Sequence, residues 1–195
     1  MNVFTPFGYL FAETIVKEDC SELKQCEFYL RGSGQDNFKG KDYSNFHVLD
    51  DYPHTKKIME QYSKKFIREN FCSTNKFEIT TSWLVNLAHN DRIHLHHHKN
   101  CVFSAVFYYG EYTQETCGLQ FKNPVKEQIP LYVKDYEMNP MTCSLEIKPE
   151  HNQLVIFPSW MYHFSNLNKE EDRRSLAFNL APVGEIGDGD STIFI

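Results

Sequence analysis

A chain of 195 residues with a formal net charge of −6, 41% hydrophobic and 15% aromatic can bury a sizeable core, which excludes a disordered protein. No basic run gives nucleic acid an electrostatic footprint, and no apolar stretch approaches membrane-spanning length. Met1-Asn2-Val3-Phe4-Thr5-Pro6 lacks a charged segment leading into an apolar one, so no signal peptide is read. The six cysteines (Cys20, Cys26, Cys72, Cys101, Cys117, Cys143) form no C-x-x-C pair and read as reduced thiols. The expectation is one cytoplasmic domain over residues 1–195, with nucleic acid disfavoured and no membrane partner.

Residues 1–16 alternate loosely between apolar and polar and predict one or two outer strands. Gly32, Gly34 and Gly40 mark 31–41 as a loop. Asp51 and Pro53 offer a helix start, and Ile58, Met59, Tyr62, Phe66 and Ile67 follow at helical spacing. A helix over 53–71 is predicted on the outside of a sheet, its lysines solvated. Phe77, Ile79, Thr81, Trp83, Val85 and Leu87 alternate with polar residues as a long strand.

The stretch His94-Leu95-His96-His97-His98 runs into the β-branched and aromatic segment 101–109. On an extended chain His94, His96 and His98 point one way and His97 the other. Two imidazoles at i and i+2 on one face can hold a divalent metal, and imidazole suits Fe, Zn, Cu and Ni alike. A short strand 117–121 ends at Asn123-Pro124, and the irregular stretch 124–142 is long enough to be an active-site cover. Strands are predicted at 144–148, 153–157 and 175–180, and the glycine- and acid-rich stretch 184–191 reads as loop. Many short strands with one good helix predict a mainly β barrel or sandwich.

Leu154-Val155-Ile156-Phe157-Pro158 leads through Ser159-Trp160-Met161-Tyr162 to His163, and ten residues later Arg173-Arg174-Ser175 opens another strand. By period two, Arg173, Ser175, Ala177 and Asn179 share one face. A His-x-His pair, a distal histidine and Arg-x-Ser on a following strand, with Trp83 before and Cys117–Pro124 between, resembles the 2-oxoglutarate/Fe(II)-dependent oxygenase family found in bacteria and marine phages. The likeness covers about residues 77–180.

The resemblance implies a double-stranded β-helix, a jelly-roll of cupin-like form, buttressed by the 53–71 helix. It implies Fe(II), with 2-oxoglutarate and O2 as cosubstrates and succinate and CO2 as coproducts, in a hydroxylase acting on a peptidyl or small-molecule substrate. His96 and His163 would be metal ligands. His98 stands where most such oxygenases carry Asp or Glu, so the third ligand is His98 or an outlying acid, Asp91 or Glu111. Arg173, rather than Arg174, would meet the distal carboxylate of 2-oxoglutarate bidentately, with Ser175 beside it. Tyr108, Asn86 and Asn179 would line the cosubstrate pocket. Trp160 would be a packing anchor, and Cys101 and Cys117 buried apolar groups. Two alternatives stay open: a cupin-like three-histidine metalloenzyme without 2-oxoglutarate, and a metal- or ligand-binding protein without turnover.

Overall fold

Beyond the turn at residue 75, period-two alternation carries the chain into its longest strand, β2 (Lys76–Leu87), whose register shifts between Ile79 and Thr81. The computed structural model describes residues 10–28, 43–71, 73–124 and 143–195. The loop expected at 31–41 lies outside them, as does all but the start of the expected cover at 124–142. In chain order the other strands are β1 (Ala12–Ile15), β3 (Phe103–Tyr108), β4 (Leu119–Lys122), β5 (Ser144–Ile147), β6 (Gln153–Pro158), β7 (His163–Phe164), β8 (Arg173–Val183), β9 (Glu185–Ile186) and β10 (Ile193–Phe194). Five of them form an antiparallel sheet in the order β1-β6-β3-β8-β2, and three form a smaller one, β5-β4-β7. This is the expected double-stranded β-helix.

Alternation on the large sheet sends the two faces to different work. Phe103, Ala105, Phe107, Leu154, Ile156, Leu176 and Phe178 share a core with Ile58, Met59, Phe66 and Ile67 of the helix α1 (Pro53–Phe71). Pro53 opens that helix at the position where a missing N–H costs nothing. Its first turn is held by Glu22, whose Oε1 accepts from the Thr55 backbone N–H at 2.9 Å and the Thr55 hydroxyl at 2.5 Å. The opposite face carries Tyr108, Val155 and Phe157 into a second core with Leu119, Phe121 and Ile147 of the small sheet. The space between the two sheets is therefore built by Ser104, Val106, Arg173, Ser175 and their neighbours on that second face.

Three elements differ from expectation. The strand predicted at 175–180 runs from Arg173 to Val183, because its whole length is paired with β2. The 184–191 stretch turns at Gly184 (φ +88°) and sets up a hairpin of β9 with β10. Of residues 1–16, Ala12–Ile15 forms one edge strand, β1, beside β6, and residues 1–9 lie outside the description. Among the described residues no helix is long and apolar enough to cross a membrane.

Candidate metal and cosubstrate site

The histidine stretch is extended, but it pairs only through a single bridge, His96 with His163. Each donates its N–H to the other's carbonyl, at 3.0 and 2.8 Å. The His98 N–H donates to the Ser159 carbonyl at 3.0 Å, which ties the same stretch to the turn before β7. These bonds bring His96, His98 and His163 together, with ring centroids 4.2 to 5.1 Å apart. One nitrogen from each lies within 4.8 Å of those of the other two. His97 turns away as parity requires, its ring against Tyr162 at 4.5 Å.

Second partners orient two of the rings. His96 Nδ1 lies 2.7 Å from the His94 carbonyl, and His163 Nδ1 lies 2.9 Å from the Met161 carbonyl. An Nδ1–H donated to a carbonyl fixes the tautomer and leaves the Nε2 lone pair for a metal. Burial, and then the neighbouring His96, pushes the His163 ring down to about 3 and the His98 ring down to about 4; burial also lowers His96. All three are thus neutral at physiological pH, the form a metal needs. The donor set fits a divalent transition metal, iron included. Neither acid considered as a third ligand joins it. Glu111 is on the surface with Oε1 3.8 Å from His151 Nδ1, and Asp91 is tied by its backbone to Ala88 and Asn168.

The depressed histidines set a pH dependence for the metal-free protein. Their folded values lie below the ordinary 6.5, so on acidification the unfolded chain takes up protons first. Stability present above about pH 6.5 is lost progressively as pH falls toward 4 and then 3. Thermal unfolding of metal-free protein is expected at a lower temperature at pH 5 than at pH 7. Saturating divalent metal should oppose the loss, because metal binding displaces the protons.

Arg173, the first residue of β8, is only 3% exposed. Its Nε donates to the Cys117 carbonyl at 2.9 Å, Nη2 to the Tyr108 hydroxyl at 2.9 Å and Nη1 to Ser175 Oγ at 3.4 Å. The guanidinium carbon lies 5.1 Å from the Tyr108 ring centroid. Among the described residues no carboxylate lies within ion-pair distance of it. A buried cation without a counter-charge is costly, and an anionic ligand removes that cost. Arg174 faces the other way, with Nη2 3.5 Å from Asp172 and its guanidinium over Phe28.

Arg173, Ser175, Asn179 and the three histidines line one cavity of about 100 Å³. Tyr108, expected in the pocket wall, is not among the lining residues: it is fully buried behind Arg173, and its hydroxyl accepts from Arg173 Nη2. Asn86 does not reach it. Paired with Arg174 in register, it shares that residue's face and gives its amide to Asp172 Oδ1 at 2.8 Å. Its assignment to the pocket wall is corrected by strand parity. Trp160, expected as a packing anchor of the His163 turn, is 52% exposed. Cys117 is buried as expected, whereas Cys101 is half-buried, and the five described cysteines are free.

Sequence reading did not assign a polar row that crosses the sheet beside the cavity. Ser104 Oγ lies 2.9 Å from Ser159 Oγ and donates to Asn179 Oδ1 at 2.8 Å, while Asn179 Nδ2 donates to Thr81 Oγ1 at 2.9 Å. The signal was register, since Ser104, Asn179 and Thr81 are cross-strand partners. Asn168 was missed outright: fully buried, it donates to the Leu87 and Glu170 carbonyls and accepts from the Cys117 N–H, fastening the chain just ahead of Arg173.

A sequence model of the family described as "Putative 2OG-Fe(II) oxygenase" matches residues 81–179. No curated protein matches the sequence. Among solved structures, the chain is similar to the non-haem alpha-ketoglutarate-dependent epimerase SnoN from nogalamycin biosynthesis, with TM-score 0.59, 10% identity, and 89% of this chain and 77% of that one covered. HygX from Streptomyces hygroscopicus, with nickel, 2-oxoglutarate and hygromycin B bound, gives TM-score 0.58 at 10% identity, over 89% and 83%. The viral collagen prolyl hydroxylase of Paramecium Bursaria Chlorella virus-1, in its 2OG complex, gives 0.54 at 10%, over 87% and 94%.

Proposed function

The chain belongs to the 2OG-Fe(II) oxygenase family, and from that premise we propose that it is a hydroxylase in which His96, His98 and His163 hold the iron and Arg173 clamps 2-oxoglutarate. Family membership makes it an oxidoreductase using iron and 2-oxoglutarate. What supports the residue assignment is one observation above the others: a buried guanidinium with no acidic partner among the described residues lines the same cavity as three inward-turned imidazoles.

Bound iron supplies activation of O2, coupled to conversion of 2-oxoglutarate to succinate and CO2. The protein's own residues do the rest. Arg173 and Ser175 take the distal carboxylate of 2-oxoglutarate, the guanidinium through its planar fork. The Tyr108 hydroxyl and the Cys117 carbonyl hold that fork in one orientation. Phe121 and Phe157 pack around His163 and exclude water from it. Asn179, fixed by Ser104 and Thr81, gives the wall a defined pattern of donors and acceptors. The third histidine and the jelly-roll form are shared with a cupin-like enzyme that needs no 2-oxoglutarate, but the Arg173 guanidinium has no ligand in that alternative. SnoN is named as an epimerase, HygX holds hygromycin B and the viral protein is named as a collagen prolyl hydroxylase. Those names support a reading in which the substrate is a small molecule or a peptidyl residue.

Anaerobic titration of the protein with Fe(II) and 2-oxoglutarate tests this reading. The expected result is a weak visible charge-transfer band that appears only with both present. Tight iron binding with no band would return the protein to the reading without 2-oxoglutarate.

A further inference from the structure

A charge inventory of the cavity leaves one positive charge unanswered. Among the described lining residues none is Asp or Glu, and Arg173 is the one with a fixed charge. Asp91, whose Oδ2 is buried without a partner among the described residues, is not among the lining residues, and two other acids are engaged elsewhere. Glu146 accepts from the Gly118 N–H at 3.1 Å and lies 3.5 Å from Lys148 Nζ, and Asp172 faces Asn86 and Arg174. Resting on the function proposed above, a divalent metal and the guanidinium bring three positive charges, and 2-oxoglutarate brings two negative ones. In the two-histidine, one-carboxylate site the third ligand supplies the remaining negative charge. Here His98 occupies that place with a neutral ring.

The cavity also has a direction. Arg173, Ser175 and His163 are buried, whereas His96, His98, Trp83 and Tyr43 are half-buried, so its more exposed part includes the His98 side. The Trp83 ring stands 5.6 Å from that of His98. The Ser165 hydroxyl and the second amide N–H of Asn179 have no acceptor among the described residues and lie on the same walls.

We infer that the substrate oxidised at this site carries a carboxylate, which enters on the His98 side and supplies the negative charge that an acidic metal ligand would have given. A monoanion closes the balance. A phosphate monoester, near two negative charges, overshoots it, and no second Lys or Arg lines the described cavity to meet one.

Formate is the probe. It is added at constant ionic strength to the anaerobic Fe(II)–2-oxoglutarate complex of the wild type, His98→Asp and His98→Asn, while the charge-transfer band is followed. Saturable displacement of the band is expected in the wild type. In His98→Asp, where the ligand restores the charge, formate should bind at least about tenfold more weakly. His98→Asn, which offers a neutral amide oxygen in place of the ring without adding charge, is compared at an iron concentration that restores its band and should then keep the response. A wild-type band that ignores formate, an equal response in His98→Asp, or a His98→Asn band that forms but ignores formate would each overturn the inference. Absence of the band before formate is added would instead remove the proposed function, and the inference with it.

Discussion

Replacing His163 with Ala is expected to remove divalent-metal binding and, with it, all 2-oxoglutarate-dependent turnover. His163 is 4% exposed, its ring sits 4.9 Å from that of Phe157, and its Nδ1 is committed to the Met161 carbonyl. The outer partners of a ligating histidine are themselves worth about 10- to 100-fold in metal affinity. Loss of the ligand should therefore exceed about 100-fold. His97→Ala is the comparison, because that ring packs on Tyr162 away from the cluster; it should bind metal as the wild type does. Calorimetric titration with Mn(II), alongside circular dichroism to establish folding, makes the measurement. A folded His163→Ala protein with wild-type affinity would remove His163 from the ligand set.

Arg173→Met is expected to raise the 2-oxoglutarate concentration for half-saturation about 30- to 4,000-fold while metal binding is retained. Truncating one side of a buried, hydrogen-bonded charge pair costs about 2–5 kcal/mol, which sets that range. The same change acts differently on the empty protein. Removing a buried cation without a counter-charge offsets the loss of its hydrogen bonds to the Cys117 carbonyl and the Tyr108 hydroxyl, so ligand-free stability should change far less than 2-oxoglutarate affinity. Denaturant unfolding without ligand and calorimetry with 2-oxoglutarate separate the two effects. Arg174→Met, on the other face of the strand, should leave 2-oxoglutarate affinity unchanged. If both arginine variants lose affinity alike, the clamp is not Arg173.

Strand parity explains both what was legible and what was not. Arg173, Ser175 and Asn179 were read onto one face because β8 is regular, and that face does line the cavity. Asn86 failed by the same rule applied across strands. Which face of β2 meets the cavity follows from its register with β8, and register is a pairing property invisible within one strand. The exposure of Trp160 was not legible for a related reason: its place in a turn does not say how far the ring is covered, and here it is 52% exposed.

The sequence by itself determined the secondary-structure periods, the mainly β class, the helix over Pro53–Phe71 and the residue types of the site, because each rests on local spacing. Tertiary structure alone decided that His98, rather than Asp91 or Glu111, sits with His96 and His163, and that Arg173 has no acidic partner among the described residues. It also decided the Ser159–Ser104–Asn179–Thr81 row. Residues far apart in the chain meet at those points through strand pairing, and the cost of a buried charge or an unpaired polar group exists only once the two sheets have closed over it.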